Sequence, residues 1–371
     1  MSSRNIKLSN YQLTIIAIGF FYGSTSINNP AMAAKRDAWL AVILGSIIGF
    51  ILVAMYVYIS KISNGKNLVE ISEYCFGKIL SKFICIIYIL YLLYLAAYDI
   101  RTYGEFMIAV SYPETPMIVL FLALTICAVY AVRSGLTVIG KTSEVLVPLL
   151  PVAVLVVTLS LLNSSDYTGF KPVLLEVGPV IQSSLDIVSN IYGDFVIFLM
   201  ILPYTNNKKG RTKASFWAVA ITFIITMIIT VRNIQIIGPA LSEYIRYPTH
   251  IAAQLIPGIS IDPLVDMNLF IGGGIKVTIC IYAATKITSE IIGIEQYKPL
   301  VSAFALLIIV LAFWFFPNAM ELYRWVKGPG DIIISFPVQV LLPVLMLIIT
   351  IIKNKKNKKT VKKTPPELII G

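Results

Sequence analysis

The sequence predicts an all-α polytopic membrane protein with about ten transmembrane helices, arranged as two halves of five. Of its 371 residues, 57% are hydrophobic and only 13% are charged, whereas soluble domains carry about a quarter charged residues. Several apolar runs reach the ~20 residues that a helix needs to cross a bilayer. Two of these runs, in corresponding positions of the two halves, are interrupted by small and polar residues.

The apolar runs define ten spans within one predicted transmembrane domain, residues 1–352. The first run does not end in a small-residue cleavage site, so we interpret it as a retained helix and not as a signal peptide. The two predicted halves are residues 1–170 and 171–352. The predicted spans are residues 11–33, 38–59, 83–110, 116–132, 142–162, 179–204, 215–237, 265–292, 300–316 and 331–352.

Span one is interrupted in its second part. Residues 19–39 read GFFYGSTSINNPAMAAKRDAW, so that small polar residues and a proline follow the apolar beginning. Unpaired backbone groups cost several kcal/mol in hydrocarbon, by a rough estimate, and such a break is therefore buried in protein or lines a cavity. The break indicates a transporter-type ligand site near the bilayer midplane. The alternative is a glycine-hinged helix that packs closely on a neighbour.

Span six carries a matching break. Ser189, Asn190, Gly193 and Asp194 precede an apolar continuation of the same span. Matching breaks in corresponding helices are typical of an inverted repeat. The predicted architecture is therefore a 5+5 inverted repeat in which helices one and six are broken.

Basic residues concentrate on one side of the predicted spans, and this side is assigned to the cytoplasm. An even number of spans then places both termini in the cytoplasm. The inner segments contain Arg4, Lys7, Lys61, Lys66, Lys78, Lys82, Arg133, Lys141, Lys208, Lys209, Arg211, Lys213, Lys286 and Lys298, besides the lysine-rich C-terminus. The outer segments contain Lys35, Arg36, Lys171, Arg246, Arg324 and Lys327.

Residues 353–371 are predicted to form a basic, disordered cytoplasmic tail. Its lysines suit the anionic inner leaflet, where each basic side chain near the surface contributes ~1 kcal/mol. The lipid bilayer is therefore the predicted partner of the tail. No nucleic-acid-binding fold accompanies the lysines, so nucleic acid is not a predicted partner.

The sequence predicts neither an enzyme nor a cofactor or metal site. The single histidine, His250, nearly excludes His-based metal sites and Ser/His/Asp catalysis. We expect His250 to be a solvated residue of an outer lid over residues 238–262. The four cysteines show no paired spacing, and the chain has no phosphate-binding loop.

Short motifs of a recognisable kind are spread in order over nearly the whole chain. They are Gly23 and Pro30 with Asp37-Ala38-Trp39; Arg101, Glu105 and Pro113-Glu114-Thr115-Pro116; Gly135, Lys141, Glu144 and Pro148; Gly193-Asp194 with Leu202-Pro203-Tyr204; and Tyr247-Pro248-Thr249. In this order they resemble the B subunits of spore germination receptors. These subunits belong to the amino acid–polyamine–organocation transporter superfamily, and the resemblance implies a LeuT-like fold. Two departures concern the pocket: Asp194 stands where the family usually has glutamate, and Gly272-Gly273-Gly274 where it often has a tryptophan.

The resemblance implies a nutrient germinant receptor subunit of the spore inner membrane. It implies a small germinant, often an amino acid, bound in a transporter-like pocket. It also implies two partner proteins, an A-type subunit and a lipoprotein C-type subunit. Binding would be transmitted as a signal that leads to the release of ions and dipicolinate.

In a LeuT-like fold, spans one, three, six and eight surround the ligand. A half-helix N-terminus at the first break favours a carboxylate, and Thr278 and Tyr282 share a face of span eight. The candidate ligand-binding residues are Gly23, Ser24, Thr25, Ser26, Tyr98, Ile100, Arg101, Asp194, Leu199, Thr278 and Tyr282.

Several alternatives stay open for the charged candidates. Asp194 meets a ligand ammonium, braces the break by accepting backbone N–H bonds, or pairs with Arg101 or Lys276, because a carboxylate inside a span is usually functional or paired. Arg101 and Glu105 are spaced to pair within one helix. Lys276 compensates Asp194 or Asp266, or takes the place of a coupling sodium ion.

At the level of function, three classes remain. The first is a receptor, the second is a proton- or cation-coupled amino-acid permease, and the third is an assembly module that only holds its partners. The family-type motifs favour the receptor.

Overall fold

The computed structural model describes residues 8–23, 29–174, 176–207, 209–242, 244–258, 261–327 and 330–363. Within these ranges the named elements are all helices, and ten spans follow one another in the predicted order. Span one is Asn10–Tyr22, followed after a break by Pro30–Asp37; spans two to five are Ala38–Ile62, Leu68–Val110, Met117–Ser134, and Leu136–Leu146 with Leu149–Ser160. Span six is Val177–Ile187, Val188–Tyr192 and Gly193–Met200; spans seven to nine are Gly210–Ile237, Asp262–Ile292 and Leu300–Phe315; span ten is Gly330–Phe336, Pro337–Leu341 and Leu342–Lys363. Short helices between spans are Leu162–Ser164, Thr168–Phe170, Leu202–Tyr204, Pro239–Ser242, Pro248–Gln254 and Ala319–Lys327.

Eight of the described helices are long and apolar enough to cross a membrane, or nine if span nine is joined to the helix that follows it at a bend of 89°. The remaining predicted span is span one, whose regular part has only 13 residues because it ends at Gly23. A capping box of Ser9 and Gln12 begins this helix: each side chain accepts a bond from the other residue's backbone N–H at 3.0 Å. The number of long apolar helices confirms the prediction of an all-helical, polytopic protein.

The spans that were expected to surround the ligand do lie together. Span eight packs against spans one and three, and the second part of span six contacts spans one, three and eight. Span two packs along spans six and seven. The two breaks, at Gly23 and near Gly193, therefore lie close to the middle of span eight.

The outer lid contains the short helices Pro239–Ser242 and Pro248–Gln254, but its histidine is not solvated. His250 lies in the short helix Pro248–Gln254 and is only 2% exposed. Its ring packs edge-on against Phe106, and its Nδ1 lies 3.4 Å from a carboxylate oxygen of Asp266. The expectation of a solvated residue is wrong because the lid helix packs against spans seven and eight and buries its inner face.

The last helix continues to Lys363, although the sequence predicts disorder from residue 353. Contacts with spans two and three explain the order of its first residues. Lys353 Nζ donates to the carbonyl oxygens of Tyr74 and Cys75, at 2.6 and 3.2 Å. These carbonyls precede Gly77, where a φ of 79° interrupts span three and its ladder of hydrogen bonds. Residues 364–371 of the predicted tail lie outside the described residues.

Candidate functional site

The first break begins directly beside span eight. Gly23 still donates its N–H to the Gly19 carbonyl at 3.2 Å, and then the helix ends. A Cβ atom on Gly23 would lie 3.0 Å from Cδ of Lys276. After the break, Asn29 caps the next helix and donates to the Thr230 hydroxyl of span seven at 2.9 Å. Three predicted ligand-binding residues, Ser24, Thr25 and Ser26, lie outside the described residues.

The second break is a change of helix type within span six. The α-helix passes into a π-helical turn at Val188–Tyr192 and then into a 3₁₀ helix at Gly193–Met200. Such changes leave some backbone carbonyl groups without their usual N–H partners. Side chains donate hydrogen bonds to two of these carbonyls. Gln339 Nε2 donates to the Ser189 carbonyl at 2.7 Å, and the Tyr56 hydroxyl donates to the Gly193 carbonyl at 3.2 Å.

Between the two breaks lies a buried group of ionic and polar side chains, which we name the Lys276 cluster: Asp99, Lys276, Asp194, Tyr91 and Gln339. Lys276 Nζ lies 3.0 Å from Oδ2 of Asp194 and 3.6 Å from Oδ2 of Asp99. The Tyr91 hydroxyl donates to Oδ1 of Asp194, and so does Gln339 Nε2, at 2.9 Å. Asp99, Asp194 and Lys276 are each at most 2% exposed. The cluster therefore joins spans three, six, eight and ten.

The structure decides between the open partners of Asp194 and Lys276. Asp194 pairs with Lys276, whereas Arg101 bridges to Glu105 within span three at 2.5 Å. Asp266 accepts a hydrogen bond from Ser111 instead of compensating Lys276. The predicted pair of Arg101 and Glu105 is confirmed. With one ammonium and two carboxylates, the Lys276 cluster carries one formal negative charge in its fully ionised form.

The other predicted residues lie on spans three, six and eight. Tyr98 is buried and packs edge-on against Phe316 at 6.0 Å, while Ile100 and Leu199 are fully buried in the apolar core. Thr278 donates to the Gly274 carbonyl of its own helix at 2.6 Å. Their ligand contacts stay predictions.

Tyr282 lies well below the Lys276 cluster along span eight. It comes six positions after Lys276, which is about 9 Å of helical rise. Its ring packs edge-on against Tyr297, in the segment between spans eight and nine, at 5.5 Å. The structure therefore does not bring Tyr282 together with Asp194.

Sequence reasoning missed Tyr91 and Gln339, two members of the cluster. Tyr91 precedes Tyr94 and Tyr98 at helical spacing, so the stripe was visible on span three. Gln339 follows Pro337 in an otherwise apolar span, where a buried amide is a signal of a hydrogen-bonding partner. Tyr94 extends the network outward: its hydroxyl donates to Asp331 at 2.9 Å and accepts from Trp325 at 2.7 Å.

Gly272 allows span eight to approach the first break closely. A Cβ atom there would lie 3.2 Å from both the backbone nitrogen and the Cα of Gly23, whereas one on Gly273 would meet only Leu269 at 4.0 Å. Alanine at either position gains about 1 kcal/mol of helix propensity, but overpacking costs about 1–3 kcal/mol. We expect Gly272→Ala to be less stable than Gly273→Ala by about 1–3 kcal/mol.

The comparison of the two alanine variants is made by thermal unfolding of the purified chains in the same lipid. Gly273→Ala is the matched control, because it makes the same change on the same helix without the contact to Gly23. Equal stabilities would contradict the close approach of span eight to the break.

Known proteins resemble this chain over most of its length. The family model described as Spore germination protein matches residues 7–322. Spore germination protein KB of Bacillus subtilis (strain 168) is 28% identical over 365 residues, which are 95% of this chain and 97% of the relative. Spore germination protein XB of Bacillus anthracis is 22% identical over 94% of this chain and 99% of the relative.

Two solved transporters have a similar structure. A substrate-bound, outward-open Na⁺-coupled sialic acid symporter matches with a TM-score of 0.67 over 90% of this chain and 79% of the symporter, at 12% identity. A nucleobase-cation-symport-1 family transporter, in a closed conformation with bromovinylhydantoin bound, matches with a TM-score of 0.64. The match covers 99% of this chain and 97% of the transporter, at 13% identity. These similarities establish the transporter fold with its broken helices. Because the family model covers most of the sequence, the chain belongs to the spore germination protein family.

Proposed function

We propose that this chain is the ligand-binding B-type subunit of a nutrient germinant receptor. It binds a small germinant, an amino acid, between the two broken helices and passes the signal to an A-type and a lipoprotein C-type subunit. Membership of the spore germination family supports this role and agrees with the prediction that the chain is not an enzyme. The observation that carries the proposal is the Lys276 cluster, which ties the second break to spans three, eight and ten and includes the lysine that lies beside Gly23 at the first break.

The proposed location is the inner membrane of the spore, with both termini in the cytoplasm. Contacts among the segments assigned to the cytoplasm support this orientation. Leu8 pairs with the segment after span six, through hydrogen bonds of 2.9 Å with Tyr204 and Asn206. Asn354, at the C-terminal end, donates to the Ile62 carbonyl at the end of span two at 3.0 Å. These contacts support placing Leu8, Asn354 and the two segments that they bind on the cytoplasmic side.

A proton- or cation-coupled amino-acid permease is the second candidate, because one of the similar structures is a Na⁺-coupled symporter. The fixed ammonium of Lys276 favours the receptor over a permease coupled to Na⁺. It already pairs with Asp194 and Asp99 beside the break, and a covalently attached cation cannot leave with the ligand as a coupled ion does. In the receptor, Lys276 stays in the cluster, and ligand binding shifts the equilibrium between two arrangements of its side chains.

The receptor is tested by deleting the coding sequence in the host and measuring dipicolinate release from its spores with each of the twenty L-amino acids. We expect the response to at least one amino acid to be lost, and to return when the wild-type chain is restored. An unchanged response to every amino acid would contradict the receptor. Concentrative uptake of an amino acid by liposomes that contain only this chain would favour the permease instead.

A further inference from the structure

One of the basic side chains that the sequence places inside the spans has no acidic partner. Arg101 pairs with Glu105, and Lys276 pairs with Asp194 and Asp99. Arg232, on span seven, is only 1% exposed, and in the described part of the chain no carboxylate lies within ion-pair distance of it. Its Nε and Nη2 both donate to Oδ1 of the adjacent Asn233, at 3.3 and 3.0 Å. Its Nη1 has no hydrogen-bond partner.

A buried guanidinium without an acidic partner lowers the stability of the protein when no ligand is bound. A guanidinium has five N–H donors, and a buried charge without a compensating partner destabilises the fold strongly. The C-terminal end of span seven does not compensate it, because the helix-dipole effect is confined to the last turn and Arg232 lies before that turn, which ends at Ile237. An intramembrane charge that stays unpaired is therefore a candidate for ligand binding.

Arg232 lies near residues on both sides of the first break. Tyr22, the last residue before the break, lies close enough to Arg232 for the two side chains to interact electrostatically. On the far side of the break, Asn29 is bonded to Thr230, two residues before Arg232. Arg232 therefore approaches the break from span seven, whereas Lys276 approaches Gly23 from span eight.

Two amide groups have unused hydrogen-bonding capacity, one on Asn233, which bonds to Arg232, and one on Asn268, which bonds to Tyr22. Nδ2 of Asn233 and Oδ1 of Asn268 are buried and have no partner. Asn268, on span eight, donates weakly to the Tyr22 hydroxyl at 3.5 Å. Arg232 and Asn233 thus present unsatisfied donors at one place, and donors of this kind suit an anion with two acceptor oxygens.

We propose that Arg232, together with Nδ2 of Asn233, binds the carboxylate of a small ligand at the first break. The guanidinium would form a bidentate pair with the two carboxylate oxygens, a geometry that lysine cannot reproduce. This inference rests on the proposed function, because it assigns one end of the ligand of that same site. The Lys276 cluster, with its formal negative charge, approaches the break from span eight and suits the ammonium end of a zwitterion.

The test uses the full chain in lipid nanodiscs, with acetate as the simplest carboxylate probe and acetamide as its neutral analogue, at equal ionic strength. We expect acetate to raise the thermal unfolding midpoint of the wild-type chain by about 2 °C or more, and acetamide to leave it unchanged. Arg232→Met should lose the acetate shift, and Arg232→Lys should lose at least half of it. Arg324→Met is the control, because that side chain is 70% exposed, and it should keep the whole shift.

Thermal unfolding without ligand separates a binding arginine from a structural one. Arg232→Met is expected to unfold at the wild-type temperature or above it, since the variant removes an uncompensated buried charge. An acetate shift of the same size in Arg232→Met, no acetate shift in the wild-type chain, or a ligand-free midpoint well below the wild type would each overturn the proposal. If Arg232→Met does not assemble, Arg232→Lys decides: an undiminished acetate shift in that variant overturns the proposal.

The twenty L-amino acids, tested in the same way, separate this inference from the proposed function. An amino acid that stabilises the wild-type chain and Arg232→Met equally would support the receptor and overturn the role of Arg232. An acetate shift that depends on Arg232, without an effect of any amino acid, would support the carboxylate site and contradict an amino-acid ligand.

Discussion

Replacing Lys276 by methionine is expected to lower the free energy of unfolding by about 3–5 kcal/mol, because it leaves buried carboxylates without their cation. The ammonium lies 3.0 Å from Asp194 and 3.6 Å from Asp99, and all three groups are almost fully buried. The loss should appear as a lower unfolding midpoint of the purified chain and as a lower amount of chain in the membrane. Methionine keeps much of the side-chain volume, so the change concerns mainly the charge.

Two further variants show whether charge is the cause. Lys298→Met makes the same substitution at an exposed position and should change stability by at most ~0.5 kcal/mol. Adding Asp99→Asn and Asp194→Asn to Lys276→Met removes the two charges left behind and should restore part of the stability. If the triple variant is no more stable than Lys276→Met, the ionic pairing does not explain the effect.

Most of the fold could be predicted from hydropathy, because a bilayer permits few alternatives to helices with apolar surfaces. Span seven ends at Ile237, as predicted, where Gly238 adopts a φ of 83° and stops the helix. Span nine begins at Leu300, directly after Pro299. These ends were visible because glycine and proline mark them in the sequence.

The elements that differ from prediction depend on contacts between distant segments. The first residues of the tail are helical because Lys353 and Asn354 bind the ends of spans two and three. His250 is buried because the lid helix packs on two spans, and hydropathy does not report how a short helix will dock. In both cases the partner lies far away along the chain, where local patterns carry no information.

The candidate site could be predicted only as far as the breaks and the charged residues. Sequence spacing indicated the pairing of Arg101 and Glu105, but it left the partner of Asp194 open, and only the structure identifies that partner as Lys276. The rotation of each span about its axis decides which side chains face the centre, and it is set by packing against neighbouring spans. This is why the isolation of Arg232 became visible only in the structure.

Replacing Gln339 by leucine is expected to lower the free energy of unfolding by about 2–4 kcal/mol, because each buried polar group that loses its partner costs ~1–3 kcal/mol. Gln339 Nε2 donates to the Ser189 carbonyl at 2.7 Å, and to Tyr91 and Asp194 at 2.9 Å. The change therefore acts on the interrupted backbone of span six and on the Lys276 cluster together. Thermal unfolding in nanodiscs measures the effect.

Gln182→Leu is the matched control for this experiment. Gln182 lies on the same span as Ser189, but it is exposed and bonds only to Asp186 at 3.1 Å. The control should therefore change stability by at most ~0.5 kcal/mol. Equal effects of the two substitutions would show that leucine is tolerated at the second break and that the amide does not support it.

Gly193 provides an independent measure of the same contact. A Cβ atom on Gly193 would lie 2.2 Å from Oε1 of Gln339, so an alanine there must displace an amide that its three hydrogen bonds hold in place. Gly193→Ala should therefore be costly in the wild-type chain and nearly neutral once Gln339→Ala has removed the amide. A double-mutant cycle measures this coupling, which for contacting residues is about 0.5–3 kcal/mol. Strictly additive effects would mean that the side chain of Gln339 does not meet the space beside Gly193.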